Sequence, residues 1–362
     1  MTARYLYVHL PFCARRCGYC DFVTVLGRGD QHGAYVDALL TELELERGSL
    51  APALDTVFLG GGTPTLTEPG ALRRLLEALP RADEVTIEAN PETVTPELAA
   101  LLRESGVTRV SLGVQTFQPR LLEVLERRAR PDDVRRAFYH LRDASFDNIS
   151  LDLIYGIPGQ SASDLERDLE DALKLGPEHL SCYELEAKPG TRFTYAHGEE
   201  LVRQAEAMEG YFERVVEVVT GAGYRWYETA NFCRPGREAR HNLGYWEGRD
   251  YLGLGIGAVS TVAGRRWRNK PSLARYLAAL ADGRRPDREV ELLDAVTLRQ
   301  ERLILGLRLD EPLPFAEVEP VLSLDALGRL ERLGLAERRG DGLALTVKGR
   351  FLGGGVTAEL LA

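Results

Sequence analysis

Residues 7–20, which read YVHLPFCARRCGYC, decide the fold of this chain. The run Tyr5–Leu10 is short and apolar, as expected of a β-strand, and a CxxxCxxC motif formed by Cys13, Cys17 and Cys20 follows it directly. With only five cysteines in 362 residues, this spacing is expected by chance in about one such chain in a thousand. Three thiolates on one short loop can bind three irons of a 4Fe–4S cluster, which leaves the fourth iron without a protein ligand.

Zinc is the other metal that this cysteine motif suggests. Structural zinc sites normally use four ligands in two pairs, and the sequence has no second CxxC pair, so the cluster is favoured over zinc. The two remaining cysteines, Cys182 and Cys233, stand alone in apolar, strand-like surroundings and are expected to be buried and inert. An odd number of cysteines, most of them in one short loop, also argues against a disulfide framework.

Strand-like and helix-like segments alternate through the first two thirds of the chain. The predicted strands are short apolar runs at Tyr5–Leu10, Thr56–Leu59, Val85–Ala89, Val110–Val114, Ile149–Tyr155 and Leu180–Leu185. The predicted helices between them repeat apolar residues every three or four positions, at Ala34–Glu46, Ala71–Leu79, Pro96–Glu104 and Ser163–Leu175. About six such repeats predict a parallel α/β sheet with right-handed crossovers.

Glycine or polar residues lie at the ends of several of these strands. The stretch 60–64 (GGGTP) follows the second strand, Glu88 ends the third, Gln115 follows the fourth with Arg127 on the next helix, and Asp152 lies in the fifth. Each taken alone has an ordinary explanation as a turn, a cap or a solvated charge. A single ligand site drawn from several strand ends favours a barrel, which gathers function at its carboxyl-terminal mouth, over an open sheet. The predicted fold is therefore a partial (β/α)6 TIM-like barrel.

The pattern changes in the last third of the chain. Residues 1–235 are assigned to the barrel, residues 236–290 to an extension, and residues 291–362 to a small C-terminal α+β domain. In that last domain, short helices lead to a hairpin that turns at 340–342 (GDG), an order that resembles a winged helix. Its acidic and basic residues are interspersed, so we expect a packing domain and not a DNA-binding one.

Charge and hydropathy limit the partners and the location. The net charge of −10 disfavours nucleic acid, because an acidic surface repels phosphate. No run approaches the roughly 20 apolar residues that span a bilayer, so an integral membrane protein is not expected. The first residues also lack the apolar stretch and cleavage site of a signal peptide, which predicts a cytoplasmic location.

The cysteine motif after a first strand, with the aromatic Tyr19 before the last cysteine, resembles the radical S-adenosylmethionine (SAM) superfamily. Further stretches resemble its coproporphyrinogen III oxidase-like branch: YVHLPFC, GGGTPT, IEANP, SLGVQTF and SLDLIYGIPGQ. The resemblance implies that SAM binds the open iron of the cluster. It also implies one or two SAM positions formed by Tyr7, Tyr19, Gly61, Gly62, Thr63, Glu88, Gln115, Arg127 and Asp152.

Two features separate the members of that branch. The oxidases carry a further cysteine two residues after the third, whereas Phe22 stands there in this chain. The stretch His241–Trp246 (HNLGYW) matches the HNxxYW signature of the heme chaperone (HemW) group. That likeness implies heme as a ligand with His241 on its iron, and acceptor hemoproteins as partners. The aromatic residues of this stretch offer flat surface to a porphyrin, and Arg240 and Arg249 could pair with its propionates.

Three functions follow from these resemblances. The first is a heme chaperone that carries a SAM-coordinated cluster. The alternative is an oxygen-independent coproporphyrinogen III oxidase (dehydrogenase) that forms protoporphyrinogen IX. A third is another radical SAM enzyme acting on a tetrapyrrole or small molecule. On the residues alone, an ordinary histidine is the favoured interpretation of His241, and the resemblance reverses that preference. The sequence leaves open SAM cleavage, a homodimer, and membrane association through a partner.

Overall fold

The computed structural model describes residues 2–188 and 191–362. Its strands are β1 (Tyr5–Leu10), β2 (Phe12–Cys13), β3 (Val25–Leu26), β4 (Leu54–Gly61), β5 (Ala82–Ala89), β6 (Arg109–Gln115), β7 (Ile149–Tyr155), β8 (His179–Glu184), β9 (Arg225–Glu228), β10 (Asn231–Cys233), β11 (Tyr251–Leu254), β12 (Val259–Val262), β13 (Arg265–Asn269), β14 (Arg288–Leu292), β15 (Leu313–Pro314), β16 (Ala336–Arg339) and β17 (Gly342–Leu345).

Helices follow most of the parallel strands. They are α1 (His32–Glu46), α2 (Pro69–Ala78), α3 (Pro96–Glu104), α4 (Pro119–Val124), α5 (Pro131–Asp143), α6 (Ala162–Leu175), α7 (Arg192–Ala205), α8 (Met208–Gly221), α9 (Arg240–Trp246), α10 (Leu273–Ala281), α11 (Ala295–Gly306), α12 (Phe315–Val318), α13 (Leu324–Arg332), α14 (Val347–Phe351) and α15 (Gly353–Leu360). Short 3₁₀ turns occupy Gly29–Gln31, Arg47–Ser49, Pro64–Leu66, Pro91–Thr93 and Glu319–Val321.

One large sheet organises the described chain, in the strand order β14-β13-β12-β11-β1-β4-β5-β6-β7-β8-β10-β9. The six strands β1 and β4–β8 are parallel to one another, as predicted for the repeated strand–helix units, whereas β10 pairs with β8 in the antiparallel direction. Residues Val110 and Leu112 of β6 pack under the outer helices, while the alternate residues Arg109 and Ser111 face the opposite side. We call the space lined by such inward-facing side chains of β1 and β4–β8 the lumen.

Local sequence explains where the helices begin and end. Helix α3 has its predicted bounds because Thr95 accepts a hydrogen bond from the Leu98 amide and Pro96 fills the first turn. Helix α6 begins with a reciprocal capping box between Ser161 and Asp164, and its C-terminal residue is followed by a left-handed glycine, Gly176. These signals are local, which is why the sequence alone identifies them.

The segment after β10 extends the same sheet. Strand β11 pairs in parallel with β1, and β12, β13 and β14 follow in antiparallel pairs. Strand β14 runs to Leu292, past the predicted boundary at residue 290. A buried carboxylate fixes this extension to helix α1: Glu42 accepts hydrogen bonds from Asn269 Nδ2 at 2.7 Å and Tyr276 Oη at 2.6 Å.

The C-terminal segment has an apolar core of its own. Leu303, Leu327 and Leu343 are among the fully buried side chains of that core, which is distinct from the core of the large sheet. A three-stranded sheet of order β15-β17-β16 lies beside helices α11–α15. The predicted hairpin is present as β16 and β17, and the winged-helix likeness stays a prediction.

Candidate functional site

The cysteine loop begins at the carboxyl end of β1. Cys13 is the last residue of β2, which pairs in parallel with β3, so the chain closes back on itself around the loop. The thiols of Cys13, Cys17 and Cys20 are free and partly exposed. Burial raises the pKa of the Cys13 and Cys20 thiols. Nearby positive charge is therefore needed to favour their ionised, metal-binding form.

A buried histidine fixes the return of this loop. His9 Nε2 donates to the Val23 carbonyl at 2.8 Å, so its Nδ1 accepts from Tyr7 Oη at 2.9 Å. Burial lowers the pKa of His9 to about 4, which keeps the ring neutral and preserves this arrangement. The sequence analysis did not select His9, because a single histidine in a strand carries no spacing signal.

A chain of polar contacts joins two of the cysteines through three strand ends. Cys13 Sγ lies 3.6 Å from Thr63 Oγ1, and Thr63 Oγ1 accepts from Asn90 Nδ2 at 3.0 Å. Arg127 Nη2 donates to Asn90 Oδ1 at 2.8 Å, and Arg127 Nη1 lies 3.8 Å from Cys17 Sγ. The structure therefore brings the predicted residues Thr63 and Arg127 to the cysteine loop. Asn90, which the sequence analysis did not select, links them.

The residues around the loop fit a cubane cluster. Arg127 Nε is buried without a hydrogen-bond partner. The guanidinium next to the thiols can therefore donate one more hydrogen bond. In the described part of the chain no three His, Cys, Asp or Glu side chains gather round a single ion position. In a cubane, by contrast, each cysteine binds a separate iron atom, so the thiols need not meet at one point.

The glycines after β4 let the backbone pass close to its neighbours. Gly61 has φ +117°, and a Cβ built on it would lie 2.6 Å from the His9 ring. A Cβ on Gly62 would lie 2.6 Å from the carbonyl carbon of Pro11. Only glycine fits at these two positions, and the Gly61 amide donates to Glu88 Oε2 at 3.1 Å.

Two carboxylates of the predicted site face the lumen. Burial, and next the neighbouring Asp152, raise the pKa of Glu88 to about 7. Burial also raises the pKa of Asp152, whose oxygens accept from Ser111 Oγ at 2.8 Å and Ser150 Oγ at 3.2 Å. Glu88 can therefore change its protonation state near neutral pH when a ligand alters its surroundings.

The position of Gln115 is strained. Its φ is +70°, an unusual value for a residue with a side chain, and it lies at a bulge where the pairing of β6 with β7 shifts. A Cβ on Gly113 would lie 3.0 Å from Gln115 Nε2 and 3.6 Å from Arg127 Nη2. The bulge therefore turns Gln115 back over Gly113, towards Arg127.

The remaining predicted aromatic residues lie on two sides of the loop. Tyr7 is stacked on Phe58 with ring centroids 6.2 Å apart, on the inner side of β1 and β4. Tyr19 meets Phe193 edge-on at 6.4 Å. Burial raises the pKa of Tyr19 well above its usual range, so its hydroxyl stays protonated.

His241 lies away from the cysteine loop. Its ring is stacked on Phe58 and is 1% exposed. Both ring nitrogens have partners, Nδ1 with Thr56 Oγ1 at 2.7 Å and Nε2 with Tyr245 Oη at 2.9 Å. Burial lowers the pKa of His241 to about 3, so the ring is neutral. Helix α9 is held in place from its first residues as well, since Glu84 accepts from the His241 amide at 3.2 Å.

A wide cleft of about 1650 Å³ runs beside α9. The aromatic residues Tyr245, Trp246 and Tyr251 line it, together with several arginines that include Arg249 and Arg302. Both arginines already have acidic partners, Glu247 and Glu317 respectively. His241 is not part of the lining. Of the HNxxYW stretch, Tyr245 and Trp246 therefore line the cleft, whereas the histidine does not.

Comparison with known proteins gives three findings. The radical SAM superfamily model matches residues 7–172. The heme chaperone HemW of Mycobacterium tuberculosis is 39% identical over 98% of this chain and 94% of its own, and that of Bacillus subtilis is 34% identical over 98% of both. The solved structure of Escherichia coli coproporphyrinogen III oxidase (HemN), described as a radical SAM enzyme, has a TM-score of 0.83 at 23% identity, over 99% of this chain and 90% of that one.

These findings agree with the fold. The HemN structure confirms the predicted α/β radical SAM fold, and at 23% identity it speaks for the fold alone. Within residues 2–188 and 191–362, no helix combines the length and apolar character needed to cross a bilayer. The two HemW relatives are similar over nearly their whole length, including both the cysteine loop and the HNxxYW helix. This chain therefore belongs to the HemW family of the radical SAM superfamily.

Proposed function

We propose that this chain is a heme chaperone that binds heme and transfers it to acceptor hemoproteins. The observation that carries the proposal is its similarity to proteins named heme chaperone HemW over 98% of the chain. Membership of the radical SAM superfamily also implies a 4Fe–4S cluster and SAM, which together supply one-electron chemistry when bound.

The cluster would be held by Cys13, Cys17 and Cys20. The Arg127 guanidinium lies 3.8 Å from Cys17 Sγ, and its positive charge lowers the pKa of the Cys13 thiol against the larger, opposite effect of burial. SAM would lie across the carboxyl ends of the strands next to this loop. The residues proposed to contact it are Tyr7, Tyr19, Gly61, Gly62, Thr63, Glu88, Gln115, Arg127 and Asp152.

Within this group the roles differ by chemistry. Gly61 and Gly62 let the backbone after β4 pack tightly against His9 and Pro11, which fixes the position of the strand end that would contact SAM. Glu88 and Asp152 are acceptors for ligand hydroxyl groups, and Tyr7 and Tyr19 offer aromatic surface. Gln115 at the end of β6 and Arg127 in the loop after α4 turn towards the same point, which supports one shared site. The sequence analysis placed Arg127 on the helix itself, but α4 ends at Val124.

Heme would lie in the cleft beside α9. Tyr245, Trp246 and Tyr251 provide apolar and aromatic surface there, as porphyrin binding requires. For His241 to reach the iron, one of its ring nitrogens must give up its present partner, Thr56 or Tyr245, and the buried ring must become accessible from the cleft, which a movement of helix α9 would achieve. We propose that this movement accompanies heme loading.

The experiment is a heme titration of anaerobically reconstituted protein, followed by mixing with an apo-hemoprotein. The expected result is a Soret band that moves from the chaperone spectrum to that of the acceptor. His241→Ala should alter the Soret position and weaken binding, whereas Leu243→Ala, at a variable position of the same stretch, should not. Absence of saturable heme binding by the wild-type protein would refute the proposed function. Equal binding and identical spectra for His241→Ala would remove only His241 as ligand.

Oxygen-independent coproporphyrinogen III oxidase is the second candidate, because the stretches GGGTPT, IEANP and SLDLIYGIPGQ resemble the coproporphyrinogen III oxidase-like branch as a whole. The residue after Asp21 is Phe22, where the oxidases of this branch have a further cysteine. An anaerobic assay with SAM and a reductant decides between the two. We expect no protoporphyrinogen, and its formation would favour the oxidase.

We also propose that the protein is cytoplasmic, as its sequence predicts, and that a homodimer forms in solution. Light scattering during gel filtration measures the second point. The expected mass is about twice that of the 40.2 kDa chain. A peak at the monomer mass, with and without heme, would contradict it.

A further inference from the structure

A buried arginine stands in the lumen without a partner. Arg109 begins β6 and is 2% exposed. Its Nε is fully buried and has no hydrogen-bond partner among residues 2–188 and 191–362. The alternate residues Val110 and Leu112 pack outside the sheet, so the Arg109 side chain faces the lumen.

The neighbouring carboxylates are already engaged by other donors. Glu88 accepts from the Gly61 amide, and Asp152 accepts from Ser111 and Ser150. Both carboxylates act on Arg109 only at longer range, through their electric fields. The lumen therefore holds a cation, Arg109, whose nearest carboxylates already accept hydrogen bonds from other groups.

Such an arrangement is costly. A buried charge without a partner destabilises the folded state by several kcal/mol, and proteins normally avoid it. An apolar residue would fill the same volume at no such cost. A cation retained in this position is best explained by a negatively charged group that reaches it in a later, ligand-bound state.

Arg109 is linked to the start of helix α9 through Tyr227. Tyr227 interacts electrostatically with Arg109, its hydroxyl is bonded to His179 Nε2 at 2.8 Å, and it accepts from the amide of Ala239, which precedes α9, at 3.2 Å. The movement of α9 that makes His241 accessible would therefore also displace a group next to Arg109.

We propose that Arg109 binds a carboxylate of the cargo, namely one propionate of the tetrapyrrole. The inference rests on the proposed function, because it assumes a ligand that carries propionates. An arginine and a carboxylate form a strong, charge-assisted pair in a site shielded from water. One propionate on Arg109 and the iron near His241 would hold the tetrapyrrole at two points on the same side of the barrel.

The carboxylate of SAM is the other source of the same chemistry. SAM is expected at the carboxyl ends of the strands, where the Gly113 carbonyl accepts from Arg127 at 2.7 Å. Arg109 precedes Gly113 by four residues on β6, or about 13 Å of strand at roughly 3.3 Å per residue. The backbone of Arg109 thus lies at the end of the lumen opposite to the expected SAM position. This favours a propionate over the carboxylate of SAM as the partner of Arg109.

The test compares heme with heme dimethyl ester, in which both carboxylates are blocked. Dissociation constants are measured for the reconstituted wild-type protein, for Arg109→Met, and for Arg109→Lys, which keeps the charge. Arg136, an exposed arginine of α5, provides the matched control variant Arg136→Met. SAM binding, iron content and melting temperature are measured on the same samples.

We expect the wild-type protein and Arg136→Met to prefer the free acid over the ester. Arg109→Met should reduce that preference by about 10- to 100-fold, the size of one charge-assisted hydrogen-bonded pair, and Arg109→Lys by less. SAM affinity should not change.

Two outcomes would overturn the inference. If Arg109→Met and Arg109→Lys keep the wild-type preference for the acid within twofold, the propionate is bound elsewhere. If the two Arg109 variants weaken SAM binding but keep the preference for heme over its dimethyl ester, the carboxylate that Arg109 binds is that of SAM. If the wild-type protein binds neither porphyrin, the proposed function itself fails, a result that is independent of Arg109.

Discussion

At the scale of single residues, Glu88 shows how burial adjusts a binding group. Its carboxyl lies between Asp152 and the Gly61 amide, and burial raises its pKa to about 7. The folded protein then holds a proton that the unfolded chain releases near pH 4.5. This contribution to stability is fully present below pH 4.5, decreases as the pH rises, and is lost above about pH 7.

The corresponding prediction concerns Glu88→Gln. Between pH 5 and pH 8 the free energy of unfolding of the cluster-free wild-type protein should fall relative to that of the variant, by up to about 3 kcal/mol. Denaturant unfolding at several pH values measures this difference. The histidines with lowered pKa, His9 and His241, act in the opposite direction but equally in both proteins. Parallel curves for the two proteins would show that Glu88 ionises normally.

His241 provides a second prediction at this scale. Removing its ring leaves the hydroxyls of Thr56 and Tyr245 without their partner and opens a space beside Phe58. His241→Ala should lower the free energy of unfolding by about 2–4 kcal/mol in the absence of heme. Asn242→Ala controls for the helix, and urea unfolding measures both. A loss below about 1 kcal/mol for His241→Ala would contradict the buried position.

Residues of the site could be predicted where a motif carried them. The cysteine spacing and the repeated strand ends identified Thr63, Glu88 and Arg127, and the structure places Thr63 and Arg127 next to the cysteines. Asn90 and Arg109 were missed, because a residue that acts through a contact across the barrel leaves no pattern in its own segment. His241 was selected by resemblance alone, and its two hydrogen bonds depend on partners 185 and 4 residues away.

At the scale of elements, the parallel strands could be predicted because they are continuous apolar runs. Strands β1 and β7 and helix α3 have the predicted bounds. Strands β13 and β14 were not predicted, since their charged residues alternate with few apolar ones and they are fixed by pairing within the sheet. Residues 224–232 are strand-like and aromatic throughout, yet they do not form one strand: the chain turns back within them, and β9 and β10 pair as a hairpin.

The turn after β4 gives the prediction at this scale. Gly61 and Gly106 both have positive φ, but a Cβ on Gly106 would meet nothing within 4 Å, whereas one on Gly61 would meet the His9 ring. Gly106→Ala should therefore show only the conformational cost, about 1–2 kcal/mol. Gly61→Ala should cost more, displace His9 and weaken SAM binding. Thermal unfolding and a SAM titration of both variants measure the two effects, and equal behaviour would show that the turn tolerates a side chain.

At the scale of the whole molecule, one ion pair connects the barrel, the HNxxYW helix and the C-terminal segment. Glu228 of β9 is 0% exposed and accepts from Arg308 at 2.6 Å. The same guanidinium lies over the Trp246 ring, 4.4 Å from its centroid. The C-terminal segment therefore contacts α9 at the residue that lines the proposed heme cleft, so movement of α9 and movement of this segment are coupled through Arg308.

Replacement of this pair tests that coupling. Arg308→Met leaves the buried Glu228 without its cation and should destabilise the protein by about 1–3 kcal/mol, with faster proteolysis near residue 294, where α11 begins. Glu228→Gln alone should cost less, because the amide still bonds its neighbours. The double variant should recover much of the loss of Arg308→Met, since it contains no unpaired charge. If the two single losses simply add in the double variant, Arg308 and Glu228 do not interact, and the C-terminal segment is held to the barrel by its other contacts.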